Sequence, residues 1–328
     1  MKTIRYKEYG DIDVLHLVDV DKPSPKEGEV LVKVFAASLN DWDTSMSLGV
    51  PYFMRLFTGL FKPKLNYQYP GCDVAGVIES VGSKASQFNI GDKVFGDLCK
   101  SGFASFAEYV CVPDAALAPM PDKMTFEQAA CLPQAGQLAV QGLLDTNRLE
   151  AGKKLLINGA GGGVGTLGVQ MVKHMGCDIT VVDTAEKLDM LLSLGADHAI
   201  DYEKQDFCKA GIEYDLIVDT KTTRSPFSHN KALKRGGLYA TLGGSSLWFT
   251  LAALLNPLIY RLKGKQHQIV MQSPNKDLAL LSEMYTAGTI VPVIDSAHDL
   301  VDFGEAYERF LSARQKGKVI ILMNQATN

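Results

Sequence analysis

The sequence predicts an α/β protein in which a doubly wound parallel sheet is joined to a β-rich domain, and three observations predict it. From about Thr125 onward, short apolar runs of strand length alternate with segments of helical period. The first third instead carries a close succession of strand-like runs and turn residues. Between two of the later apolar runs, LLINGAGGGVGTLGVQ (155–170) packs glycine where a helix should begin. Each interior helical glycine costs about 1 kcal/mol relative to alanine, so a backbone geometry must require the missing side chains.

In chain order, the opening MKTIRYKEYGDIDVLHLVDV alternates charged and apolar residues like a strand and lacks the unbroken apolar core of a secretory signal. EVLVKVFAAS (29–38), DVAGVIESVG (73–82), GDKVFGD (91–97) and FAEYVCVP (106–113) are the strands expected of the β-rich domain, whose N-terminal part is assigned residues 1–124. Residues 125–271 are assigned to the doubly wound domain, with strands KLLIN (154–158), DITVVD (178–183), YDLIVDT (214–220), GLYATLGG (237–244) and HQIVM (267–271). Residues 272–328 read helix, strand, helix, strand, and the closing KGKVIILM is expected to return to the first domain. SSLWFTLAALLNPLIYRLKGK (245–265) is strongly apolar at first, but Asn256 and Pro257 break the run short of the roughly 20 residues a spanning helix needs.

Composition narrows the function classes. Lysine and arginine number 33 against 37 acidic residues, a formal charge of -4, so no global positive field attracts nucleic acid. Six cysteines without a CxxC pair argue against a disulfide framework and a structural zinc cluster, and suit a reducing compartment, here read as the cytoplasm.

The glycines follow a strand-length run, and Val164, Leu167, Met171, Val172 and Met175 then recur at helical spacing. Glycines at such a strand-to-helix turn keep it tight, let a pyrophosphate reach main-chain N–H groups and bring the helix close to the sheet. Gly161, Gly162, Gly163, Val164 and Gly165 are therefore candidate cofactor contacts. Asp183 ends the next strand about 20 residues on, where a carboxylate accepts hydrogen bonds from the adenosine ribose. An acid there repels the 2′-phosphate of NADP, which favours NADH, although Lys187 and Tyr202 are close enough in sequence to line the same pocket and shelter a phosphate. In the alternative, Lys187 lies on a solvated helix face and Tyr202 is half buried after a strand.

GAGGGVG (159–165), LGADHAIDY (194–202), ASLNDWD (37–43), PGCDVAGVIESVG (70–82) and GDKVFG (91–96), in that family's order along nearly the whole chain, resemble the medium-chain dehydrogenase/reductase superfamily, nearest its zinc-free quinone oxidoreductase branch. The resemblance implies a GroES-like catalytic domain built from the N-terminal portion and the tail, and a Rossmann domain between them. It further implies an NAD(P)H cofactor, a substrate cleft, and pairing as homodimers or homotetramers. Gly243, Gly244 and Lys318 match positions that touch cofactor in the family, with turn and surface roles as the alternative. Two departures are Leu138, where relatives often carry threonine, and DTKTTR after the strand at 214–219, where they show a small residue and glycine. Lys221 in that loop is a candidate cofactor contact or a surface cation.

Zinc-dependent relatives place a cysteine where this chain has Asn40 and a His-Glu pair where it has Cys72 and Asp73. A catalytic zinc needs about three converging ligands. No histidine occurs between His16 and His174, and adjacent Cys72 and Asp73 point to opposite faces of a strand. The sequence therefore reads as zinc-free.

Without a Lewis acid an alkoxide is poorly stabilised, whereas a quinone or an α,β-unsaturated carbonyl carries its own electron sink and needs mainly orientation and hydrogen-bond donors. The resemblance places Asn40 beside the nicotinamide as the first candidate donor, and Tyr52 is the second. In the alternative, Asn40 caps a turn and Tyr52 is a packed aromatic. The expected function is NAD(P)H-dependent hydride transfer to a lipophilic quinone or enone. A zinc-independent alcohol or aldehyde dehydrogenase and a non-catalytic nucleotide-binding sensor are the alternatives. PYFMRLFTGLFKPK (51–64) and LWFTLAALLNPLIYRLKGK (247–265) couple apolar side chains to cations, which suits a substrate lid and subunit interface or, alternatively, peripheral membrane contact.

Overall fold

A computed structural model describes residues 1–244 and 247–323. Ser245 and Ser246, which open the apolar segment, and residues 324–328 of the tail lie outside the described residues. The strands are β1 (Lys2–Arg5), β2 (His16–Asp19), β3 (Glu29–Ser38), β4 (Asp73–Val81), β5 (Lys93–Asp97), β6 (Tyr109–Pro113), β7 (Ala118–Pro119), β8 (Lys154–Asn158), β9 (Asp178–Asp183), β10 (His198–Asp201), β11 (Tyr214–Asp219), β12 (Leu233–Thr241), β13 (Gln266–Ile269), β14 (Ile294–Asp299) and β15 (Lys318–Leu322). The helices are α1 (Asp41–Leu48), α2 (Arg55–Thr58), α3 (Phe126–Ala130), α4 (Pro133–Leu143), α5 (Gly163–Val172), α6 (Ala185–Leu194), α7 (Pro226–Lys231), α8 (Leu247–Leu262), α9 (Leu278–Thr286) and α10 (Phe303–Leu311). The chain forms two compact units: Met1–Gln137 with Ser273–Ala287 and Ile294–Asn328, and Leu138–Gln272 with Gly288–Val293.

In the first unit, β3 is central: it pairs antiparallel with β4, β6 and β15 in a seven-stranded sheet. The tail returns through β15, with Ile321 opposite Ala37 and Ile320 opposite Ser38. Alternation along β3 sends Val30, Val32 and Val34 into a core that also contains Val74, Ile78, Phe106, Val319 and Ile321. The opening twenty residues form two short strands in a hairpin, β1 with β2, around a 3-10 turn at Ile12–Val14.

The second unit holds an all-parallel six-stranded sheet in the order β10-β9-β8-β11-β12-β13. Counted from β8, this is the 3-2-1-4-5-6 order of a Rossmann fold, and the strand order reverses between β8 and β11. Leu155, Leu156, Ile157, Val181, Leu216, Ile217 and Val218 are buried, as strands covered on both faces require.

Three local expectations are revised. The helix after the glycines stops at Val172, because the chain turns through Gly176 at φ +74, so Met175 lies outside it and is partly exposed. β12 starts at Leu233 rather than Gly237, with a register shift against β11 that carries pairing past the Gly236–Gly237 pair. The apolar segment is helical straight through Pro257; among the described residues no helix is long and apolar enough to cross a membrane.

A Cβ on Gly165 would fall inside contact distance of the Ala160 backbone, so α5 lies this close to β8 only because that side chain is missing. Gly165→Ala is expected to destabilise the protein by about 1 to 3 kcal/mol, read from the urea midpoint.

Candidate functional site

At the strand reversal of the second unit, the ends of β8 and β11 lie side by side, and the Asn158 amide donates to Asp219 Oδ1 at 2.8 Å. The chain leaves β8 through Gly159 at φ +75, a conformation that favours glycine. A Cβ on Gly159 would lie 2.8 Å from Lys221 Cγ, and one on Gly161 would lie 2.9 Å from Asp183 Oδ2 and against Lys187 Cδ. Two lysine stems thus flank the loop. Gly162, the N-cap of α5, has nothing within 4 Å of a built Cβ, so packing within the chain does not demand a glycine there and its face is open. The N–H groups of Gly163, Val164 and Gly165 precede the first intrahelical bond, Thr166 N to Gly162 O at 3.0 Å. They stand at the positive end of the helix.

Asp183 Oδ2 accepts the Gly161 N–H at 2.7 Å, and Oδ1 accepts the Thr184 N–H at 2.9 Å. Lys187 is not on a solvated face: it is buried, with Nζ 3.3 Å from Asp183 Oδ1. Tyr202 follows the strand paired with β9, donates its N–H to the Asp183 carbonyl at 3.2 Å and leaves its ring half exposed. Gly243 and Gly244 adopt φ +158 and +140. The Thr222 hydroxyl donates to Gly243 O at 2.6 Å, tying the DTKTTR loop to these glycines.

Sequence reasoning missed the support beneath this loop. Asp219, fully buried, accepts from Tyr239 Oη at 2.8 Å and from the N–H groups of Lys221 and Thr222, each at 2.9 Å, and His229 Nε2 stands 3.2 Å away. Burial alone would raise its pKa, but His229 and the two backbone N–H groups outweigh burial and hold the carboxyl well below its ordinary range. The available signal was an acid closing the apolar run LIV of the strand YDLIVD.

In the first unit, β3, β4, β15 and the start of α1 converge on a buried polar cluster. Asp73, fully buried, accepts from Ser38 Oγ at 2.7 Å, Asn40 Nδ2 at 3.0 Å and the Gln134 N–H at 2.9 Å, with Lys318 Nζ at 3.3 Å. Asn40 is 5% exposed, and both amide hydrogens are used internally, on Asp73 and on Ser38 O at 3.1 Å. As arranged it has no amide hydrogen left to offer a substrate oxygen, which departs from the donor role expected of it. Lys318, expected to touch cofactor, is buried and donates to Asn40 Oδ1 at 2.5 Å and Leu39 O at 3.1 Å. Tyr52 is 73% exposed rather than packed, with the Arg55 guanidinium 5.0 Å from its ring centre.

Cys72 is buried, and its thiol is close enough to Asp43 to act on that carboxyl's pKa, while Asp73 lies against Lys318. Among the described residues no three His, Cys, Asp or Glu side chains converge as metal ligands. With an amide at Asn40 whose hydrogens are already used and an ammonium against Asp73, the donor set does not fit a zinc ion.

Residues 26–122 match the model of the alcohol dehydrogenase GroES-like domain, and residues 194–321 match that of the zinc-binding dehydrogenases. The chain is 33% identical to 2-methylene-furan-3-one reductase of Solanum lycopersicum over 98% of its length and 79% of that protein. It belongs to the medium-chain dehydrogenase/reductase superfamily, in the quinone oxidoreductase-like branch. This member of the superfamily is also 32% identical to the chloroplastic NADPH-dependent alkenal/one oxidoreductase of Arabidopsis thaliana, over 98% of this chain and 79% of that one. Among solved structures, the quinone oxidoreductase of Coxiella burnetii superposes with a TM-score of 0.88 at 27% identity, covering 99% of both chains.

Asp43, another buried acid of this superfamily member's first unit, accepts the N–H groups of Asn40 at 2.9 Å and Gly71 at 3.1 Å. Burial nonetheless pushes its pKa up to about 7, against the pull of the Cys72 thiol and the Asn40 N–H. A carboxyl raised on folding binds more protons in the native than in the unfolded state between about pH 4 and 7, so its contribution to stability falls as pH rises through that window. Asp43→Asn does not titrate. Its urea midpoint relative to the unsubstituted protein is expected to be lowest near pH 4 and to improve steadily up to pH 7, above any constant offset from the lost acceptor.

Proposed function

We propose that the protein is an NAD(P)H-dependent oxidoreductase that reduces a quinone or an α,β-unsaturated carbonyl. The observation that carries this reading is the open glycine turn at the strand reversal, with Asp183 closing the neighbouring strand. The relatives' names add the acceptor class: a methylene-furanone, an alkenal or enone, and a quinone each conjugate a C=C to a carbonyl.

When bound, the reduced nicotinamide supplies a hydride. The Gly163, Val164 and Gly165 N–H groups would hold the pyrophosphate, which Gly162 leaves room to approach, and Asp183 would accept from the adenosine ribose. Gly243 and Gly244 let the main chain lie against the cofactor without side chains in the way. Tyr52 is the donor to the acceptor oxygen, on which negative charge develops as hydride adds to the far carbon. It takes that role in place of Asn40, whose hydrogens are turned inward. Tyr52→Phe is expected to lower kcat roughly tenfold or more, with cofactor KM unchanged.

Asp183 favours NADH by repelling a 2′-phosphate, and the buried Lys187 ammonium beside it weakens that repulsion. NADPH is therefore accepted less well rather than refused. Steady-state assays with both coenzymes over a panel of quinones, enals and saturated aldehydes test the reading: turnover with conjugated acceptors only is expected. Asp183→Gly should raise the NADPH to NADH ratio of kcat/KM about tenfold or more, equivalent to about 1.4 kcal/mol. Tight coenzyme binding without turnover on any acceptor would overturn the assignment in favour of a sensor.

Six free thiols suit a reducing compartment, and the cytoplasm is the location we assign. Phe53, Leu56, Phe57, Leu60 and Phe61 are exposed beside Tyr52, and this apolar surface is assigned to uptake of a lipophilic acceptor. Peripheral membrane contact is the second reading, favoured by the neighbouring exposed Lys62 and Lys64. Co-sedimentation with anionic vesicles at low salt separates them, and the uptake reading expects the protein to stay in the supernatant.

A further inference from the structure

Lys221 is an exposed lysine in a loop held far more firmly than a surface turn requires. β8 and β11 run parallel with Asn158 opposite Asp219, so Gly159 and Thr220 leave the sheet side by side. The Thr220 N–H donates to Asn158 O at 3.1 Å, and its hydroxyl lies within bonding distance of Asn158 O at 3.1 Å and Gly159 O at 3.2 Å. The next two N–H groups, those of Lys221 and Thr222, both end on the buried Asp219 carboxylate. Thr222 is itself buried at φ +46, a left-handed conformation that a β-branched residue keeps only where its surroundings compel it. The loop therefore aims Lys221 rather than letting it wander. A Cβ built on Gly159 would fall 2.8 Å from Lys221 Cγ and 3.7 Å from its Cε, so the side chain runs across the glycine turn. On the other side, a Cβ on Gly244 would lie 3.0 Å from Lys221 O.

We propose that Lys221 is a coenzyme-binding residue whose ammonium pairs with the nicotinamide-side phosphate of the diphosphate; this rests on the function proposed above. The side follows from the order of the sheet. A dinucleotide lies across a strand reversal with one half over each half of the sheet. Asp183 ends β9, on one side of β8, and marks the adenosine half. Lys221 follows β11, on the other side of β8, and stands between the glycine turn and the Gly243–Gly244 segment that follows β12. The need for a cation follows from the charges. The turn offers a diphosphate only main-chain N–H groups and the partial charge of a helix end. Lys187, the lysine on the other flank, is already paired with Asp183. The Asp219 charge is met beneath the loop by Asn158, Tyr239, His229 and the two loop N–H groups. Lys221 thus brings a full positive charge to the β11 side of the turn, where the second phosphate would lie.

The test reads binding by calorimetry, without any assay of turnover. Its probes are ADP-ribose, which carries the whole diphosphate, and adenosine 5′-monophosphate, which ends at the adenosine-side phosphate. Lys221→Met keeps an apolar stem over Gly159 and removes the charge, while Lys221→Arg keeps the charge. Lys221→Met is expected to weaken ADP-ribose about tenfold and adenosine 5′-monophosphate by less than about twofold. Lys221→Arg is expected to hold ADP-ribose within about threefold of the unsubstituted protein. Raising the salt concentration should weaken ADP-ribose more steeply in the unsubstituted protein than in Lys221→Met. Should the methionine lower the melting midpoint, Lys221→Gln takes its place against the same outcomes. Unchanged ADP-ribose affinity without the ammonium, an equal loss for adenosine 5′-monophosphate, or a Lys221→Arg protein as weak as Lys221→Met would overturn the proposal while leaving the proposed function standing. If the unsubstituted protein takes up neither ADP-ribose nor NADH, the proposed function falls and this assignment with it.

Discussion

A carboxylate withdrawn wholly from water must be surrounded by donors or a cation, because burying the charge unpaired costs several kcal/mol. Asp73 in the first unit and Asp219 in the second are both fully buried, and the polar groups around each are arranged to meet that requirement. Around Asp73 the donors come from a strand end, a helix N-cap, a backbone N–H at Gln134 and a lysine on the tail strand. Around Asp219 they come from Asn158 on the adjacent strand, Tyr239 on β12, and the loop that follows the carboxylate. Each acid thereby joins segments distant in sequence: Asp73 brings residue 318 to residue 40, and Asp219 ties the DTKTTR loop to the end of β8. Apolar packing builds the two cores, but these carboxylates fix where the loops above the strand ends can lie.

How much of this the sequence disclosed depends on whether a feature is set by the backbone or by a long side chain. The glycine turn was legible because main-chain geometry at Gly159, Gly161 and Gly165 excludes side chains, and composition records that exclusion directly. The β8, β9 and β11 cores were legible because parallel strands covered on both faces must read as unbroken apolar runs. Lys187 and Lys318 were not. A lysine spans several ångströms with little preference for direction, and helical or strand periodicity places its Cα without saying whether its ammonium turns to solvent or to a buried acid. Asn40 fell between these cases: a turn-capping role was legible as the alternative to a donor role, but the direction of its amide hydrogens depends on Lys318, which is 278 residues away.

The acceptor class follows from the same distinction. Adding hydride to an isolated carbonyl concentrates charge on one oxygen and asks the protein for a strong Lewis acid or several aimed donors. In the first unit the polar groups that sequence position offers for that task are turned onto one another: Asn40 onto Asp73 and Ser38, and Lys318 onto Asn40. Tyr52, the donor proposed above, is exposed among aromatic and aliphatic side chains. A conjugated acceptor matches that surface, since delocalisation over the C=C and C=O carries most of the developing charge and the apolar body of the molecule prefers such a lining.

On the function proposed above, coenzyme choice would turn on a pair of charges rather than on one. Read alone, Asp183 is an anion where a 2′-phosphate would lie. In the structure it is half of an ion pair with a buried lysine, and one of its oxygens is already occupied by the Gly161 N–H. That N–H belongs to the glycine turn itself, so the carboxylate shapes this loop and, on the proposed function, would also screen the ribose site. Replacing it changes both, whereas replacing Lys187 removes the counter-charge and leaves the Gly161 bond in place. The separation matters because a coenzyme preference set by Asp183 through charge should weaken as salt is raised, while one set through the shape of the turn should not.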